Sequence, residues 1–97
     1  MGKIRWTSEA ARNLQDIHDY IAQDDPAAAI GVVRGIYVKV QLFRRFPEIG
    51  HVYEPRPGHH IRVMLHGHYR IAYLIKQEKD VDILGVFHGA MDIDHYL

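Results

Sequence analysis

The stretch HIRVMLHGHYRIAYLIKQEKDVDILGVFH, residues 60–88, decides how this chain folds. Its apolar residues recur with a period of two, the repeat of a strand with one face buried. Gly67 and the polar run Gln77 to Asp80 interrupt that period. The segment therefore reads as three sequential antiparallel strands, HIRVMLH, YRIAYLIK and VDILGVF, most simply a meander. The last has few polar positions, with Leu84, Val86 and Phe87 falling on both faces, as in an interior strand covered on two sides. The tail from Met91 to Leu97 is expected to add a helical turn or to lie across the sheet.

Upstream the period lengthens. Lys3 to Trp6 is a short β-prone run, and Thr7-Ser8 offers side-chain oxygens to cap a helix, with Glu9 near the positive end of its dipole. Ala10, Leu14, Ile17 and Ile21 form one apolar stripe, while Arg12, Asp16 and Asp19 lie off it. Asp24-Asp25-Pro26 breaks the pattern, with Asp25 the cap of a second helix. That helix is read to Phe46, stopped by Pro47, with Ile30, Val33, Tyr37 and Val40 on its apolar face and Ile36 and Phe43 widening it. A tight break between amphipathic helices predicts an antiparallel hairpin. Gly31 and Gly35 cost about 1 kcal/mol each inside a helix, which suggests a close approach to a neighbouring element. Gly50, Pro55, Pro57 and Gly58 mark a mobile connection from 47 to about 59.

The expected fold is thus α+β, ordered β-α-α-β-β-β: a helical hairpin packed on a small antiparallel sheet, with residues 1–97 as one domain. Ninety-seven residues support a single core. The 47% apolar and 25% charged content is that of a folded chain. Without cysteine there is no disulfide and no thiolate nucleophile or metal ligand, which suits a cytoplasmic location. No standard export signal or membrane span is expected, since no segment reaches ~18 to 20 apolar residues. Twelve Lys and Arg balance twelve Asp and Glu, which weighs against a nucleic-acid-coating protein but allows a local basic patch. Eight histidines make charge-dependent behaviour sensitive to pH near 6.5.

The strand half carries the chemistry. Arg62, Arg70, His66, His68 and His88, with Tyr69 and Tyr73, can bind anions, stack on bases or transfer protons. A guanidinium within an apolar strand needs a partner or an exposed face, and Glu54, Glu78 and Asp92 are candidate partners for Arg62 and Arg70. A two-residue loop at Gly67-His68 would put Arg62 and Arg70 on opposite faces, and a three-residue bulged loop on the same face. His88 directly follows the last strand, and serves either as a structural hydrogen-bonder or as a general acid or base. The pairs His59-His60 and His66-x-His68 lack a third ligand at recognisable spacing, so no metal site and no cofactor is expected. Phosphate-loop, GxSxG and HExxH motifs are absent, leaving a binding protein or a small acid-base enzyme.

The ordered set W-T-x-x-A-x-x-x-L-x-x-I-x-D-Y-I-A-x-D-x-P-x-A-A (Trp6 to Ala29), F-P-x-x-G (Phe46 to Gly50), I-R (Ile61-Arg62), Y-R-I-A-Y (Tyr69 to Tyr73) and I-L-G-V-F-H-G-A-M-D (Ile83 to Asp92) resembles the RelE/ParE superfamily of type II toxin-antitoxin systems. The D-Y-I-A-x-D-x-P-x-A-A and V-F-H-G-A-M-D segments look most like its ParE, or plasmid-stabilisation, branch. The resemblance implies a toxin held inactive by a cognate antitoxin whose flexible segment wraps the helices and sheet, in a hetero-oligomeric complex. In the ParE branch it implies growth inhibition by poisoning DNA gyrase, without enzymatic activity of its own. Target-binding candidates are then Arg62, Tyr69, Arg70, Tyr73, His88, Met91 and Asp92. In the RelE branch it implies a ribosome-dependent mRNA endoribonuclease, with Arg62, Arg70 and His88 as catalytic candidates. The chain lacks the extra lysines of strongly basic RelE members, which favours gyrase. A degenerate member that only binds its antitoxin is a third expectation.

Overall fold

The structure, a computed structural model, describes residues 2–56, 58–89 and 93–97. Strand β1 (Ile4–Trp6) leads into helix α1 (Ser8–Ala22) and then α2 (Pro26–Gln41), followed by β2 (His51–Val52), β3 (Ile61–His66), β4 (Tyr69–Ile75) and β5 (Val81–His88). The strands form one sheet in the order β1-β5-β4-β3-β2. The three strands read from the period of two are present to within a residue, and β5 is an interior strand buried on both faces. The sheet is mixed rather than purely antiparallel, because β1 pairs in parallel with β5, Ile4 opposite Val81 and Trp6 opposite Ile83. The segment 47–59 is not wholly irregular either, since His51 and Val52 pair with Val63 and Arg62 at the sheet edge.

Both helix starts follow from their caps. Thr7 accepts from the Ala10 amide at 3.1 Å and donates its hydroxyl to the Ile83 carbonyl at 2.7 Å, tying the start of α1 to β5. Asp25 accepts from the Ala28 amide at 3.0 Å, with Pro26 at the first helical position. The α1 stripe packs as read, Ala10 buried and Leu14 and Ile17 against the same cluster.

Helix α2 departs from its reading in three ways. It ends at Gln41 and continues as a 3₁₀ turn, Leu42–Arg44, which aims Phe43 inward. Its buried positions are Ala29, Ile36 and Val40, whereas Ile30 and Tyr37 are 56% and 52% exposed. The helix is apolar on nearly every side, so periodicity does not single out its inner face. Gly31 faces open space, with no heavy atom of the described residues beyond its own stretch of helix within 4 Å of where a Cβ would lie, so close approach does not explain it. Gly35 does meet a neighbour, His66 Nε2 at 3.1 Å. The helical run Pro26–Arg44 is also long and apolar enough, by length and composition, to cross a membrane, a test that core helices pass as well.

The sheet separates two apolar cores. On the helix side Ile71, Tyr73, Val81, Ile83 and Val86 meet Ala10, Ile36, Val40 and Phe43. On the far side Ala72, Phe87 and Ile61 are covered by Tyr53 and by the C-terminal turn Ile93–His95, with Ile93 buried and Tyr96 stacked on Phe87 at 5.4 Å. A register shift at Ala72/Tyr73 leaves a bulge in β5, where Asn13 of α1 accepts from the Val86 amide at 3.0 Å.

Candidate functional site

The β3–β4 register decides which candidate residues can act together. His66 pairs with Tyr69 and Arg62 with Tyr73, so the connection is the two-residue loop Gly67-His68. Gly67, at φ +57°, takes the first central position, where such a loop favours glycine. In this register Arg62 shares the helix-side face with Tyr69 and Tyr73, whereas Arg70, opposite Leu65, lies on the far face. Arg62 also stands opposite Tyr73, three positions along β4 from Arg70, which adds roughly 10 Å along the strand.

Arg62 and Tyr73 are engaged inside the fold. The Tyr73 hydroxyl accepts from the Gly50 amide at 2.9 Å and donates to the Pro47 carbonyl at 2.7 Å. Arg62 Nη1 donates to the carbonyls of Glu48 and Gly50 at 3.1 and 2.8 Å, and Nη2 lies 3.8 Å from the Glu48 carboxylate. Among the described residues the acidic partner of Arg62 is Glu48 rather than Glu54 or Glu78. Together the cross-strand pair clamps the turn Pro47–Gly50 against the sheet. This accounts for the F-P-x-x-G motif: a Cβ at Gly50 would lie 2.8 Å from the Tyr73 hydroxyl and 2.9 Å from the Val63 carbonyl. The Tyr73 ring is fully buried, stacked 3.9 Å from Phe43, and burial pushes its phenol above the ordinary tyrosine value.

The remaining described candidates gather at the other end of the hairpin. His68, Tyr69, Arg70 and His88 line an open hollow of about 420 Å³ with Leu65 and the glycines 67 and 89. His88 is the last residue of β5 rather than the residue after it, is exposed, and stands opposite Tyr69. The Tyr69 and His88 rings meet edge to face at 5.7 Å, and the His68 and His88 rings are 6.4 Å apart. Tyr69 and His88 also border a second hollow, with Asp16, Ile17 and Tyr20 of α1. One cation, two imidazoles and a phenol can recognise a phosphate or an acidic group here, and can exchange protons. Met91 and Asp92 lie outside the described residues. Among the described residues no group of three or more His, Asp or Glu side chains is placed to hold a metal ion.

Two polar features escaped the sequence reading. Arg5 and Asp82 form a two-pronged pair at 3.1 and 2.9 Å across the parallel β1–β5 contact, with Lys76 3.6 Å away. The hydrogen bond from Arg5 holds the buried Asp82 carboxyl below its ordinary value. Asn13 at the bulge is the other. Neither has a local signal, because each partner is more than seventy residues away in the chain.

Comparison with known proteins accords with this architecture. Residues 4–93 match the family described as the ParE toxin of the type II toxin-antitoxin system, parDE. The chain is 39% identical over 91 residues to the "Putative toxin Y4kP" of Sinorhizobium fredii (strain NBRC 101917 / NGR234), spanning 90% of this chain and 88% of that protein. Its fold superposes on a chain of the chromosomal ParDE system from P. aeruginosa with a TM-score of 0.74 and 23% identity, covering 91% of this chain and 96% of that one. It also superposes on a chain of the RelBE2 toxin-antitoxin complex from Mycobacterium tuberculosis, with a TM-score of 0.62, 26% identity and coverage of 90% and 96%. With sequence and overall fold in agreement over nearly its whole length, the chain belongs to the ParE toxin family of type II toxin-antitoxin systems.

Proposed function

We propose that this toxin arrests growth by binding DNA gyrase and trapping its cleaved DNA intermediate, without performing a chemical step itself, and that a cognate antitoxin neutralises it. The observation that carries this reading is the separation of Arg62 from Arg70. A ribonuclease using Arg62, Arg70 and His88 together needs all three to converge on one phosphate. Arg62 instead faces the helix side and is spent on the Pro47–Gly50 turn, while Arg70 faces the other way. Membership of the ParE family and likeness to proteins solved as toxin-antitoxin systems support the antitoxin partner. The test is supercoiling and DNA cleavage by purified gyrase in the presence of the purified toxin. Accumulation of cleaved complexes is the expected result, and unaffected supercoiling with no cleavage overturns it.

One observation favours a second reading, in which the chain cleaves mRNA on the ribosome. Tyr69, Arg70 and His88 do share a hollow, and His88 is exposed there. Translation arrest with mapped mRNA cuts, abolished by alanine at Arg70 and His88, would support it. Antitoxin binding without growth arrest would instead mark a degenerate member.

A further inference from the structure

The hollow on the α1 side of the Tyr69 and His88 pair is built from rings and one carboxylate. It opens over about 320 Å³ among Asp16, Ile17, Tyr20, Tyr69 and His88, and no lysine or arginine lines it. The Tyr69 and His88 rings stand at 85° to one another with centroids 5.7 Å apart, so they form two adjoining walls. Tyr20 supplies a third ring from α1. At 76% exposure it is the most exposed large apolar side chain among the described residues, and it belongs to neither core.

Asp16 lies one helical turn before Tyr20 and so shares its side of α1. Its carboxylate is exposed and forms no ion pair among the described residues, Arg12 one turn earlier included. The neighbouring carboxylate, Asp19, is engaged elsewhere: it accepts from the Gln15 side-chain amide at 2.8 Å and lies 3.1 Å from His18 Nδ1. Arg70 and His68 line the other hollow instead. Aromatic faces carry negative charge density, so the rings and the Asp16 carboxylate act in the same sense. The hollow therefore selects for positive charge.

We infer that this hollow binds a small organic ammonium ion carrying methyl groups, of the choline class. A methylated ammonium holds its water weakly, so aromatic walls can take its methyl groups while Asp16 balances the charge. A phosphate or nucleotide would meet the Asp16 carboxylate with no lysine or arginine in the lining to offset it. A bare divalent metal ion would need several oxygen ligands and would find one carboxylate. An uncharged molecule of the same shape gains nothing from either the ring faces or the carboxylate. The inference stands apart from the gyrase and ribosome readings, because it concerns a free small molecule and not a macromolecular target.

The test is a titration of the full-length ¹⁵N-labelled protein with choline at constant ionic strength, beside neohexyl alcohol, its uncharged carbon isostere. Saturable amide shifts centred on residues 16–20, Tyr69 and His88 are expected, with a Kd of about 1 mM to about 10 mM. Neohexyl alcohol should bind at least roughly tenfold more weakly. Asp16→Asn and, separately, Tyr20→Ala should each weaken choline binding several-fold, whereas Tyr20→Phe, which keeps the ring, should stay within about twofold of the parent. Asp16 and Tyr20 are both exposed, so the three variants should melt with the parent. If Tyr20→Ala proves unstable, Asp16→Asn and the uncharged isostere still decide the matter. Shifts that stay linear to about 100 mM choline, equal binding of neohexyl alcohol, or shifts centred on the stacked Trp6 and Tyr37 rings would each overturn the inference. Unchanged affinity in Asp16→Asn, or tighter binding of inorganic phosphate at the same amides, would do so as well.

Discussion

Replacing Tyr73 by Phe tests whether the turn clamp is structural. The ring would stay, stacked on Phe43 and fully buried, so no large cavity opens. What disappears is one oxygen serving two buried residues, as acceptor for the Gly50 amide and donor to the Pro47 carbonyl. Each buried backbone group left without a partner costs about 1–3 kcal/mol, and partial hydration of a loosened turn puts the sum at about 2–4 kcal/mol. For a domain of this size that lowers the melting temperature by roughly 10–20 °C, readable by circular dichroism or calorimetry. Arg62→Met removes the other tether on the same turn, the bonds to the Glu48 and Gly50 carbonyls. The two changes should therefore be strongly non-additive, by about 1 kcal/mol or more, because a released turn leaves the second tether nothing to hold. A drop of less than about 2 °C for Tyr73→Phe would refute the clamp. So would strict additivity of the pair. An Arg62→Met protein as stable as the parent but unable to arrest growth would move Arg62 from scaffold to site.

The clamp also has a pH signature. The Tyr73 phenol is raised by burial, so its stabilisation is complete below the unfolded value of about 10 and is lost as pH rises through the higher folded value. Urea midpoints should fall on the alkaline side for the parent, and Tyr73→Phe should lack that limb. Asp82 has the opposite sign: its carboxyl is depressed chiefly by the Arg5 hydrogen bond, so its contribution is present above about 3.9 and lost as pH falls through the lower folded value. Asp82→Asn should flatten the acid limb of the same urea series. The two helical glycines should separate, with Gly31→Ala raising stability by about 0.5–1 kcal/mol in thermal melts because only open space surrounds it. Gly35→Ala should gain less or lose, since its Cβ would press on His66, and adding His66→Ala should restore the gain. Asn13→Ala leaves the Val86 amide at the bulge unpartnered, at a cost of about 1–3 kcal/mol, and that amide should exchange faster with deuterium.

What was legible in the sequence was local. The period of two placed β3, β4 and β5, and Asp25-Pro26 placed the helical break, because each pattern is complete within one element. The parallel β1–β5 pairing joins Ile4 to Val81 across the length of the chain, and nothing in either segment signals the other. The inner face of α2 was misread for a different reason: Ile30 and Tyr37 are as apolar as Ala29 and Ile36, and only the position of the sheet decides between them. The two-residue strand β2 is too short to show a period. The candidate site followed the same rule. Composition placed its residues on the strands, but the face each occupies depended on whether the Gly67-His68 loop held two residues or three.

Separating a grip from a catalyst comes down to how activity falls when the hollow at the end of the sheet is altered. If Arg70 and His88 only contribute contact, truncation removes binding energy, and growth arrest should decline in proportion to affinity, tenfold for about each 1.4 kcal/mol. Raising toxin expression would then recover it. If instead one of them moves a proton or stabilises developing charge, its loss should cut the rate by about 10²–10⁴ with binding unchanged, and higher expression would not compensate at saturation. Arg70→Lys and His88→Gln, which keep charge or hydrogen-bonding capacity, sharpen the contrast. A dose-response series of growth arrest against toxin level for these two variants should show parallel curves displaced to higher dose for the gyrase-binding reading. A lowered plateau for either variant would refute it, because at saturating toxin only a missing chemical step can limit the effect.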